Sequence, residues 1–213
     1  KKRNFKIIMP VLPIYELPLL KTSVKELAKF LDKFISHKKL EKFVLLGNSL
    51  GGHIGLYYQK LFKKAKGLIL TGSSGLYEKG MGSGYTKRGD YDVIKKKVQE
   101  VFYDPKVASK LLVDEVFKTV NDRNKLIKIL AMAKSAIRHN MANDLPEMKL
   151  PTCIIWGKND NVTPPDVADE FHKLIPNSDL YWIDKCGHAP MMERPMEFNG
   201  TLLNWLSSKI ISK

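Results

Sequence analysis

Cysteine is nearly absent from this 213-residue chain, which has only Cys153 and Cys186. Two widely separated cysteines exclude a disulfide framework and give no zinc-ligand spacing. A reducing, cytoplasmic setting is the expectation. Cys153 lies inside an apolar run and reads as a small buried hydrophobe. No apolar run is long enough to span a bilayer. No secretory signal pattern opens the chain, and there is no repeat or low-complexity tract. Acidic residues are outnumbered by basic ones, 22 to 36, leaving a net charge of +14. Such an excess raises nucleic acid or an anionic surface as a partner. The lysines, however, spread over nearly every amphipathic segment. Runs such as Lys95-Lys96-Lys97 sit beside apolar helix positions with no interleaved aromatics. They read as solvated faces, so neither a nucleic-acid nor a membrane partner is expected.

What remains is the composition of a soluble globular protein, 44% apolar and 27% charged. The length suits one sizeable domain with an inserted subdomain. Its organising stretch is Gly47-Asn48-Ser49-Leu50-Gly51-Gly52. An apolar strand pattern over 43–46 precedes it and a helical pattern over 54–62 follows. Gly-x-Ser-x-Gly between a strand and a helix is a nucleophile elbow. The turn is tight enough to strain the serine backbone, so the positions two residues either side are expected to need glycine. The hydroxyl then sits at the positive end of the following helix.

Around this elbow the chain alternates. Residues 5–9 read as a strand ended by Pro10. Ser23-Val24-Lys25-Glu26 is a capping box for a helix with Val24, Leu27, Ala28, Leu31, Phe34 and Ile35 on one face. Residues 67–71 read as a strand. A polar, glycine-rich loop over 80–89 then leads into helical patterns at 91–102, 106–120 and 123–141. Strands follow at 152–156 and 180–183, with helices at 166–174 and 195–211. Short, almost wholly apolar strands separated by helices indicate a parallel sheet covered on both faces.

A serine hydroxyl needs a base, and the base needs an orienting acid. Asp160 lies in a loop just past the strand at 152–156. His188 lies in Gly187-His188-Ala189-Pro190, past the strand at 180–183. Ser49, Asp160 and His188 fall on one edge of the predicted sheet, in the chain order of α/β-hydrolases. His53 is expected to pack under its helix, and His37 and His172 to be at the surface. Arg138 and His139, ending the third inserted helix, are candidate substrate contacts. So is Asn48.

The chain resembles the α/β-hydrolase fold superfamily. The elbow, the acid loop Gly157-Lys158-Asn159-Asp160 with Pro164, and the histidine loop with Glu193-Arg194-Pro195 carry the resemblance. It implies a core over residues 1–75 and 149–213, interrupted by a helical lid over 76–148. It implies an acyl-transfer reaction with Ser49 as nucleophile, His188 as base, Asp160 as orienting acid and the Leu50 backbone amide as an oxyanion donor. A small acyl substrate is implied, with no cofactor and no metal. The family's opening strands and its His-Gly oxyanion loop have no counterpart here. The chain is therefore expected to begin partway through a longer protein, and the oligomeric state stays open. Asn48 beside the nucleophile also resembles hydrolases that cleave carbon–carbon bonds of ring-fission products, although Ala189 replaces their aromatic residue after the histidine. A non-catalytic ligand-binding module is the remaining alternative.

Overall fold

A computed structural model describes residues 5–77 and 88–211. Four parallel strands form one sheet in chain order: β1 (Leu45–Asn48), β2 (Leu68–Thr71), β3 (Thr152–Gly157) and β4 (Ser178–Ile183). Alternation along the strands sorts their side chains between two layers. Leu68, Leu70, Ile154 and Trp156 pack with α1 (Val24–His37), α2 (Leu50–Phe62) and α6 (Pro165–Leu174). Ile69, Cys153, Ile155 and Ile183 pack instead with α8 (Pro195–Leu206) through Phe198, Trp205 and Leu206. Both faces are thus covered, as the apolar strands require. The α/β class expected from the sequence holds.

The helix α1 starts at its expected cap. Ser23 accepts the Glu26 N–H at 3.2 Å and opens α1. Val24, Leu27, Ala28 and Ile35 are its buried positions.

Between β2 and β3 lie α3 (Tyr91–Gln99), α4 (Lys110–Asn121) and α5 (Arg123–Arg138). Ile94, Val98, Phe102, Val113 and Val120 form a separate apolar cluster that reaches Ala189 beside His188. The expected loop over 80–89 lies mostly outside the described residues.

One expectation fails. Residues 5–9 are not a strand. Ile7 and Met9 are more than four-fifths exposed, and Phe5 is also exposed. Alternating apolar side chains make a strand only when a neighbouring strand supplies hydrogen bonds and a surface to bury against. Among the described residues this segment has neither. Correspondingly, among the described residues β1 is an edge of the sheet and its Leu46 is exposed.

The inserted α5 is tied to the core by buried polar contacts. Ser135 Oγ accepts the Val24 N–H at 2.9 Å, at the start of α1. His53 on α2 donates from Nε2 to the His139 carbonyl at 2.8 Å. His139 in turn donates from Nδ1 to the Ser135 carbonyl at 2.8 Å. His53 is fully buried, and burial holds its imidazole neutral down to about 4. The unfolded chain binds a proton there near 6.5 and the folded one does not. This buried imidazole therefore removes stability as pH falls from about 6.5 toward 4, at up to about 1.4 kcal/mol per pH unit. His53→Gln keeps a donor for the His139 carbonyl but has nothing to titrate. Urea unfolding of this variant is expected to give a shallower decline in stability across that window than wild type.

Candidate active site

Ser49 stands between the end of β1 and the start of α2 with φ 53° and ψ −120°, a strained conformation for a residue with a side chain. The strand and helix hold it there. The Ser49 N–H donates to the Thr71 carbonyl at 3.1 Å, and the Ser49 carbonyl accepts Gly52 N–H and His53 N–H. The glycine requirement differs from the expectation at one position. A Cβ at Gly47 would lie 2.2 Å from the Gly51 carbonyl carbon, and one at Gly52 would lie 2.3 Å from Ser73 Oγ. A Cβ at Gly51 would meet nothing within 4 Å. The close approaches are strand to helix at 47 and helix to the β2 loop at 52, whereas Gly51 points outward from the first turn.

The loops after β3 and β4 bring Asp160 and His188 together. His188 donates from Nδ1 to Asp160 Oδ2 at 2.9 Å, with 6% and 2% of each residue exposed. The Asp160 loop is shaped by its own carboxylate: Oδ1 accepts Val162 N–H at 2.8 Å and Thr163 N–H at 2.9 Å. The main chain of His188 is clamped on both sides. Its N–H donates to the Val101 carbonyl at 2.9 Å, and its carbonyl accepts Asn48 Nδ2 at 2.9 Å. Asn48 Nδ2 also donates to the Thr71 carbonyl at 3.0 Å. The amide of Asn48 thereby joins the elbow, the end of β2 and the histidine loop. Ser49 lies next to this joint, but its hydroxyl makes no hydrogen bond among the described residues.

Glu193, on the short helix α7 (Pro190–Glu193), ties the histidine loop to the inserted helices. Its Oε1 accepts Gly187 N–H at 2.7 Å and its Oε2 accepts Tyr103 N–H at 2.7 Å. Cys186 beside it is buried. Burial pushes its thiol up to about 12, so it is no nucleophile near neutral pH.

A cavity of about 310 Å³ opens between α3, α4 and the histidine loop. Ile94, Val98, Phe102, Leu112 and Val116 make it apolar, while His188, Asn48 and Lys97 supply its polar edge. That size is at the small end for ligand pockets. A polar cleft of about 440 Å³ runs along the Asp160 loop, lined by Lys158, Asn159, Asp160, Asn161 and Pro164. It does not reach His188. Arg138 is exposed at the end of α5, and His139 is engaged with Ser135 and His53, its ring edge-on to Tyr57 at 5.0 Å. Neither lines the cavity beside His188. Among the described residues no group of His, Cys, Asp or Glu is gathered as metal ligands, and no helix is long and apolar enough to cross a membrane.

The sequence model of the alpha/beta hydrolase fold family matches residues 18–195. The chain belongs to the α/β-hydrolase fold family. A crystal structure of MGS-MChE2, an alpha/beta hydrolase enzyme from the metagenome of sediments from the lagoon of Mar Chica, Morocco, is 52% identical with a TM-score of 0.73. The match covers 93% of this chain and 76% of that one. Monoacylglycerol lipase ABHD6 of Bos taurus is 28% identical over 87% of this chain and 61% of its own length. The 2-hydroxy-6-oxononadienedioate/2-hydroxy-6-oxononatrienedioate hydrolase 1 of Pseudomonas putida is 25% identical over 84% of this chain and 68% of its own. The chain spans about two thirds or less of the length of several curated relatives of this α/β-hydrolase.

The elbow geometry predicts an ordered alanine series. Gly51→Ala in the first turn of α2 is expected to be neutral or to raise stability by up to about 1 kcal/mol, because alanine is the better helix former. Gly47→Ala and Gly52→Ala are expected to lower it by about 1–3 kcal/mol or more through overpacking. Thermal unfolding of the three variants checks the order.

Proposed function

We propose that this α/β-hydrolase is a serine hydrolase cleaving a small carboxylic ester or related acyl compound. In this reading Ser49 Oγ attacks the substrate carbonyl while His188 Nε2 takes its proton. The imidazolium returns that proton to the departing alkoxide, and water hydrolyses the acyl-enzyme. Asp160 fixes the tautomer that leaves Nε2 free as base and steadies the charged ring. The Leu50 N–H, in the first turn of α2, is one donor to the oxyanion. The acyl group occupies the apolar cavity under α3 and α4, which then act as the lid.

The observation that carries this reading is the buried 2.9 Å contact from His188 Nδ1 to Asp160 Oδ2, at the sheet edge where Ser49 is held in a strained turn. A buried carboxylate is costly without partners. This one is spent on orienting an imidazole whose other nitrogen remains available. A carbon–carbon bond hydrolase is the second reading, favoured by Asn48 beside Ser49 and by the name of the Pseudomonas relative. Turnover of a vinylogous diketone with none of simple esters selects it.

Intact mass after treatment with a fluorophosphonate is the test. Wild type is expected to gain one adduct and Ser49→Ala none. An unlabelled wild type that binds a small molecule tightly would instead select the non-catalytic module.

A further inference from the structure

We propose that Thr163 is a positioning residue for the pair formed by His188 and Asp160, acting through its hydroxyl. The proposal rests on the reading of Ser49, His188 and Asp160 given above. Thr163 Oγ1 donates to Asp160 Oδ2 at 2.9 Å, the same oxygen that accepts His188 Nδ1–H. The hydroxyl also lies 3.2 Å from His188 Nδ1. A threonine hydroxyl has a single proton. With that proton on the carboxylate, a lone pair faces the imidazole N–H. The imidazole hydrogen is thus shared between a charged oxygen and a neutral one, and three atoms from three side chains close a triangle.

The hydroxyl matters because of how the other donors are distributed. Both backbone N–H groups that reach Asp160 go to Oδ1. Apart from the imidazole, the Thr163 hydroxyl is the contact that holds Oδ2 among the described residues. Without it, Oδ2 can turn out of the plane of the ring and the imidazole loses its orientation. Charge-assisted bonds of this kind are the stronger class. The triangle is also buried, since Thr163 is 3% exposed and Asp160 2%, where an unmade hydrogen bond is costly.

Thr163 is fixed by the sheet. Its carbonyl accepts Trp156 Nε1 at 3.0 Å, from a fully buried ring on β3 packed against Phe171. Its branched Cβ further limits rotation about χ1. The β3 strand therefore positions the hydroxyl, the hydroxyl positions the carboxylate, and the carboxylate positions the base. Valine at this site would keep the shape and remove only the polar contact. Serine would keep the contact.

Two readouts test this. The first is the proton NMR resonance of His188 Nδ1–H, assigned by its loss in His188→Gln. It is expected to broaden and move upfield in Thr163→Val and to return in Thr163→Ser. The second is ester hydrolysis, where Thr163→Val is expected to lower kcat on the order of tenfold with KM unchanged, as for removal of an orienting outer group. Thr163→Ser is expected to restore it to within about threefold of wild type. Thermal unfolding separates loss of fold from loss of orientation, and Thr163→Ala serves if the valine variant fails to fold. A resonance unmoved in a folded valine variant overturns the proposal, as does a loss of kcat that serine fails to rescue. A wild type that hydrolyses no ester and takes no phosphonate strikes the serine-hydrolase reading instead, and the resonance, which needs no turnover, still decides the positioning.

Discussion

A serine with a positive φ is held between a strand end and a helix start, and the rest of the site is arranged around it. That conformation is costly by itself. It persists because Gly47 lets β1 touch the first turn of α2 and Gly52 lets that turn touch the loop after β2. The strand register then sets where everything else goes. With β1 to β4 parallel and in chain order, the loops after β1, β3 and β4 all open on the same edge. Ser49, Asp160 and His188 follow those three strands within a few residues each.

His188 is the most constrained part of this edge. Four different segments hold it: Val101 takes its N–H, Asn48 reaches its carbonyl, Asp160 takes its imidazole N–H, and Glu193 fixes the preceding glycine. Two of these links run to the inserted helices, through Val101 directly and through Glu193 to Tyr103. The segment between β2 and β3 therefore has two structural parts to play. It forms the apolar wall of the cavity and also fixes the main chain of His188. Asn48, read from sequence as a substrate contact, spends its amide hydrogens on two backbone carbonyls. Its oxygen is what it can offer to a ligand.

The fold was legible because burial on both faces writes itself into short apolar strands, and because helical spacing in the insertion is uninterrupted. The elbow, acid and histidine loops were legible because each follows a strand that could be located. What stayed hidden depends on distant partners. Residues 5–9 carry a strand-like pattern, yet pattern alone supplies no neighbour to pair with. The elbow pattern assigns the glycine requirement to Gly51, and only packing against Ser73 moves it to Gly52. The contact from Glu193 to Tyr103 joins residues 90 positions apart and leaves no local trace. Thr163 left a faint one. It stands three residues after Asp160, where an aspartate side chain commonly accepts backbone N–H groups of its own turn.

The central proposal is that His188 and Asp160 act as one unit on Ser49. Its most direct test is non-additivity in kcat/KM for hydrolysis of a simple ester by His188→Gln, Asp160→Asn and the double variant. Groups that act together lose nearly everything at the first removal. The double variant is predicted to be no slower than the slower single variant, within about threefold. Losses that multiply in the double variant would mean that His188 and Asp160 contribute separately, and would contradict the account.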